Sequence, residues 1–130
     1  MSFGTPSPGE LVNVSVRQAG DLTILDLSGK ILGGVESDVL RAELERVFER
    51  EGRKLLINLS DVPWMNSAGL GVLLSAYSRM KDQGGIVRFF GVGERVRGIL
   101  RTTKLLTVLD VLDDEESGIQ SFQRHATGAG

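Results

Sequence analysis

Between residues 54 and 122 a short apolar run gives way three times to an apolar stripe at helical spacing. Lys54–Leu59 precedes Leu70, Leu73, Leu74, Tyr77 and Met80; Ile86–Phe90 precedes Val96, Ile99 and Leu100; Leu105–Leu112 precedes a segment running to Phe122. Such a change from short buried runs to a period near 3.6 is the mark of strands alternating with helices. It implies a mostly parallel or mixed sheet covered by helices, an α/β fold. Upstream, Leu11–Arg17 alternates apolar and polar residues, and Leu22, Ile24, Leu25 and Leu27 follow the Gly20-Asp21 turn, which predicts two opening strands. Val35, Val39, Leu40, Leu44, Val47 and Phe48 then recur at three and four, predicting a helix that ends near Glu51-Gly52. The second helix is predicted over Ser67–Gln83, with Gly84-Gly85 as its stop signal, and the third over Glu94–Thr103. The acidic run Asp113–Glu116 opens the last helix, where carboxylates complement the dipole.

At 130 residues the chain is expected to form one domain over residues 10–124, with flexible tails at 1–9 and 125–130. The absence of cysteine excludes disulfides, thiolate metal sites and cysteine nucleophiles. A single histidine, His125, leaves no basis for a histidine triad or metal site, so neither metal nor cofactor is expected, and no enzymatic activity. No secretory signal or apolar run of membrane-spanning length is visible, and the expected location is the cytoplasm, away from membranes. The net charge of −2 argues against nucleic-acid binding. Residues 78–104 nevertheless carry seven basic and two acidic residues. Arg88, Arg95, Arg97, Arg101 and Lys104 lack interleaved aromatic platforms, so this island reads as a solvated helix face balanced by the acidic last helix.

Phosphate-binding loops fail on inspection. Val96 stands where a dinucleotide fingerprint after Gly91-Val92-Gly93 needs its third glycine, and Gly29-Lys30 lacks the earlier glycine and the following hydroxyl of a P-loop. Asp110, Asp113, Asp114, Glu115 and Glu116 lack the spacing of a calcium loop and read as a helix start. The segment Trp64–Gly71 is different. Asn66 is a preferred N-cap, and Met65 and Leu70 occupy the two positions of a hydrophobic staple. Gly69 and Gly71 in a first helical turn are each unfavourable by roughly 0.8–1.0 kcal/mol against alanine. Either the helix packs tightly on the sheet there, or a partner approaches the turn closely. Ser67 falls at the first helical position, where a phosphate is tolerated. With no histidine or lysine in the motif to activate it, this serine reads as a residue to be modified rather than a nucleophile.

Asn66-Ser67-Ala68-Gly69-Leu70-Gly71 resembles the Asp-Ser-[Ser/Thr/Ala]-Gly-Leu-Gly signature of the STAS domain, specifically that of bacterial anti-sigma factor antagonists. The similarity continues through residues 55–92 and 94–122 and covers about residues 11–123. The resemblance implies a mixed sheet of about four to five strands with about four helices, mostly packed on one side. It also implies partner switching: the antagonist binds an anti-sigma factor that is a serine kinase, the kinase phosphorylates the motif serine and ends the interaction, and a phosphatase restores it. By position that serine is Ser67, and residues Asn66–Gly71 form the partner-binding surface. Two features depart from the pattern. Asn66 replaces the usual aspartate, and Ile31-Leu32-Gly33-Gly34 lacks an acidic residue that many members carry. STAS modules also serve as adaptors in transport assemblies without phosphorylation, which is the alternative role.

Overall fold

The computed structural model describes residues 12–32, 35–51 and 53–127, and of these the side chains of 35–39, 51 and 124–127 lie outside the description. Leu11, Gly33, Gly34, Gly52, the side chains of Val35, Val39 and His125, and the expected tail residues 1–9 and 128–130 fall outside it. Five strands and four helices are described: β1 (Asn13–Ala19), β2 (Leu22–Ser28), α1 (Val35–Glu51), β3 (Lys54–Asp61), α2 (Ser67–Asp82), β4 (Ile86–Phe90), α3 (Glu94–Thr102), β5 (Val111–Leu112) and α4 (Glu115–Thr127). They form one sheet in the order β1-β2-β3-β4-β5. The β1–β2 pair is an antiparallel hairpin, and every later pairing is parallel. The expected α/β class and mixed sheet are observed.

Strand periodicity divides the core between the two faces of the sheet. Leu25, Leu27, Leu55, Ile57, Leu59, Val87 and Phe89 point to the front, where Leu40, Leu44 and Phe48 of α1, Leu70, Leu73 and Met80 of α2, and Val96 and Leu100 of α3 cover them. Leu22, Ile24, Leu56 and Phe90 point to the back and meet Phe122 of α4. Three helices thus share the front and α4 alone covers the back.

A polar chain ties α4 to the strands. Arg17 on β1 donates to both oxygens of Asp26 on β2, at 2.6 and 2.9 Å, and to Glu115 at the start of α4, at 2.9 and 3.3 Å. Asn58 on β3 donates to the same Asp26 at 2.7 Å. Arg88 of β4 continues the attachment: its guanidinium stacks over the Phe122 ring at 4.8 Å and donates to Ser121. Asp114 caps α4 by accepting from the Ser117 amide at 2.8 Å, a hydrogen bond that holds its carboxyl below the usual range. The acidic run is therefore a helix start, and among the described residues no cluster of acids, histidines or cysteines is placed to hold a metal.

Two boundaries differ from expectation. Residues 105–110 are not a strand; only Val111 and Leu112 pair with β4. α3 ends in a Schellman turn in which Lys104 adopts φ 64°, with Leu105 donating back to Leu100 and Lys104 to Arg101. The Leu105 carbonyl then accepts from Val108 and Leu109, which curls the run into a helical turn whose Leu105, Leu106 and Leu109 pack on the front core. Apolarity alone cannot distinguish such a turn from a buried strand. α4 also continues to Thr127, past the expected end at Phe122 and into the segment read as a tail. α2 closes with the same Schellman geometry, there with Gly84 at φ +88°, as the glycine pair predicts.

The two helix ends set up a direct test. Lys104→Gly relieves a left-handed conformation unfavourable for a side chain and should raise stability by about 0.5–1 kcal/mol in urea melts. Gly84→Ala should lower it by a similar amount, about 1 kcal/mol.

The Arg17–Asp26 pair also fixes a pH dependence. Hydrogen bonds from Arg17 hold the Asp26 carboxyl below its ordinary range, so its contribution is present above an unfolded value of about 3.9 and is lost as pH falls through the lower folded value. Arg17→Met should cost about 0.5–1 kcal/mol at pH 7, the upper range for a pair that solvent still reaches. The same change should flatten the loss of stability in urea melts between about pH 5 and pH 2; acid limbs of equal slope in both proteins would dissociate the pair from acid stability.

Candidate functional site

The site is built where β3 hands over to α2. After Asp61 the chain turns through Val62 and Trp64 and makes a single parallel bridge, Met65 to Ile31. Ile31 donates to the Trp64 carbonyl at 3.1 Å and accepts from the Asn66 amide at 3.2 Å. Asn66 then caps α2 from extended backbone, its side-chain oxygen accepting from Gly69 at 2.8 Å, while its carbonyl accepts from Leu70. Met65 and Leu70 are both buried in the front core, which completes the hydrophobic staple.

The structure divides the six residues of the motif by what each one faces. Gly69 and Leu70 are buried, Asn66 is half-buried, and Ser67, Ala68 and Gly71 are exposed. The two glycines have different reasons. A Cβ on Gly69 would lie 2.0 Å from the Ile31 carbonyl oxygen, so close packing of helix on main chain demands glycine there. A Cβ on Gly71 would meet nothing within 4 Å. That position is open toward solvent, where an approaching surface would lie.

Ser67 is the first residue of α2, whose first turn contains no acidic side chain, so the positive end of the dipole is unopposed there. Among the described residues no side chain hydrogen-bonds its hydroxyl. Ser67 lines an open groove of about 450 Å³ between the start of α2 and α3. Trp64, Arg95, Gly98, Ile99 and Thr102 share its lining. Arg95 lies over the Trp64 ring at 5.0 Å from its centre. Trp64 opens the motif segment and Arg95 belongs to the basic island read as a solvated face; no sequence pattern announces their meeting, which depends on how α3 folds back beside α2.

The basic island is dispersed. Arg88 belongs to the back face under α4, where Asp110 lies 4.0 Å away, while Arg95 belongs to the groove and Arg101 and Lys104 are exposed at the end of α3. No helix among the described residues is long and apolar enough to cross a membrane.

The glycine assignments predict opposite outcomes for one chemical change. Gly69→Ala should destabilise the domain by about 1–3 kcal/mol, because α2 must move away from Ile31. Gly71→Ala should stabilise it by about 0.5–1 kcal/mol through helix propensity. Denaturant melts of the two variants decide; losses of equal size would remove the distinction.

Comparison with known proteins places this geometry. The sequence profile of the STAS domain matches residues 13–118. The anti-sigma-B factor antagonist of Bacillus subtilis (strain 168) is 32% identical over 109 residues, which span 84% of this chain and 98% of that protein. An anti-sigma factor antagonist from Mycobacterium paratuberculosis superposes with a TM-score of 0.76 at 20% identity, over 90% of this chain and 97% of that one. The Bacillus cell fate determinant SpoIIAA, in its phosphorylated form, superposes with a TM-score of 0.63 at 15% identity, over 86% of this chain and 98% of that one. With the profile running from the first strand into the last helix, and with a curated relative matched along nearly its whole length, the chain belongs to the STAS domain family.

Proposed function

We propose that this protein is an anti-sigma factor antagonist, which binds an anti-sigma factor with serine kinase activity and is released when that kinase phosphorylates Ser67. The reading rests on one observation above all. Ser67 is exposed at the first position of α2, beside exposed Ala68 and Gly71, on a turn whose fold-bearing contacts all point the other way. A partner can therefore close over the serine, and a phosphate can be added to it, without disturbing the packing of Met65, Gly69 or Leu70. The relationship to the Bacillus subtilis antagonist supports the partner class, and the phosphorylated form of SpoIIAA supports the chemistry. In the transfer the Ser67 oxygen bonds to the γ-phosphorus of ATP, ADP leaves, and the hydroxyl proton passes to a base of the kinase. A serine phosphatase hydrolyses the ester and restores the binding form.

Asn66 fits this role. It caps α2 through its side-chain oxygen as the usual aspartate does, and it adds no negative charge beside the incoming phosphate.

A phosphate brings about −1.5 to −2 charges. At an exposed helix N-terminus that charge is favourable by about 0.3–1 kcal/mol, so the phosphorylated domain should melt at the same temperature or slightly higher. Against a surface fitted to a neutral hydroxyl the same charge must be desolvated or repelled, and affinity should fall by several kcal/mol, on the order of 10²-fold or more. Incubation with an anti-sigma factor kinase of the source organism and ATP, with phosphate mapped by mass spectrometry in the wild type and Ser67→Ala, tests the assignment. Phosphate at another residue, or undiminished binding by the Ser67 phosphoprotein, would leave the unphosphorylated transport or signalling adaptor as the reading.

A further inference from the structure

A phosphate on Ser67 would enter a groove that already holds a cation. Arg17, Arg46, Lys54, Arg79 and Arg88 each have a carboxylate partner. Arg95 has none among the described residues, and its contact is the face of Trp64. Stacking on an aromatic ring favours a guanidinium, and it occupies one face of the plane while leaving the N–H donors at the edge available. The only acid in the first turn of α3 is Glu94, and the first turn of α2 has none. The groove lined by Ser67 thus carries the charge of Arg95, which no carboxylate among the described residues holds in an ion pair.

Resting on the phosphorylation of Ser67 proposed above, we propose that Arg95 is the internal counter-ion of that phosphate, pairing with it across the groove and joining α3 to the first turn of α2. The guanidinium is charged at every accessible pH, and its fork matches two phosphate oxygens through short charge-assisted hydrogen bonds. Pairing changes the surface twice. It places a dianion at residue 67, and it withdraws from the groove a cation that the unmodified protein presents to its partner. The phosphorylated face is then both more negative and narrower.

The experiment uses the full chain with phosphoserine inserted at position 67 during translation, so that no kinase is needed. A phosphorus NMR titration reads the second ionisation of the phosphate, which is about 6 for an unpaired phosphoserine. In the wild type it should fall by about half a unit or more, as for an anion beside a fixed cation. Arg95→Gln should return most of that shift, whereas Arg101→Gln, at the exposed end of α3, should leave it in place. A second reading needs no substitution: the Arg95 side-chain Nε–H resonance should move on phosphorylation. Equal titration of the phosphate in wild type and Arg95→Gln would overturn the assignment, as would an unmoved Arg95 resonance. A kinase that ignores Ser67 would overturn the function proposed above and leave this titration unchanged. An unshifted phosphate would overturn the role of Arg95 and leave the kinase reaction standing.

Discussion

The position of α2 is set by main chain pressed against main chain. Ile31 holds the Trp64 carbonyl and the Asn66 amide in a one-residue bridge, and Gly69 brings the first turn of α2 against the Ile31 carbonyl closely enough to exclude a Cβ. Everything distinctive about the site depends on this contact. It buries Met65 and Leu70, it leaves the opposite side of the turn to solvent, and it orients Ser67 outward at the end of the helix dipole. A side-chain contact in the same place would give when one residue changed. A bridge of amides and carbonyls is indifferent to most substitutions and sensitive to one, at Gly69.

The architecture places the exposed side of the Ser67 turn and the residues that stabilise the fold on different parts of one short segment. Within four residues the chain passes from a cap to an exposed serine to a buried glycine. The apolar weight of the domain lies behind the helix, in the front core shared by α1, α2 and α3. The exposed half of the turn contributes little to that core, so its chemistry is free to change. α3 supplies the second wall of the groove and brings one cation, Arg95, to its lining.

Much of this is legible in the amino-acid sequence because the signals are local. Asn66 before a helical stripe, the glycine pair after Met80 and the acids before α4 are each satisfied within a few residues, and each appears where the spacing places it. The front core follows from the same logic: Leu55, Ile57, Leu59, Val87 and Phe89 on alternating strand positions meet Leu73 and Leu100 from helical ones, with Leu74 and Ile99 at the margin. What escapes the sequence is non-local. The Arg17–Asp26–Asn58 chain joins three strands to α4, and no spacing announces it. Gly69 and Gly71 look alike in the chain, and only the arrival of Ile31 from far upstream separates them. The leucine-rich run from Leu105 reads as a strand because its hydrophobicity is real, while the left-handed residue Lys104 leads it into a helical turn against the core. Trp64 and Arg95 meet for the same kind of reason, through the return of α3 alongside α2.

The lone helix on the back of the sheet has a consequence for how the protein is made. Proteins are synthesised from the N-terminus at about 5–20 residues per second, and structure forms as chain becomes available. The front of this sheet acquires its helices as its strands appear, since α1, α2 and α3 are each interleaved with them. The back does not. Leu22, Ile24, Leu56 and Phe90 await Phe122, which lies in the last element described. Until α4 emerges the nascent chain therefore carries an uncovered apolar strip on its central strands, the kind of surface that chaperones bind and that neighbouring chains aggregate upon. Ile119 and Phe122 of α4 convert that strip into core, so a truncation that removed them would be felt first as insolubility, with the Ser67 turn still intact on the other side of the sheet.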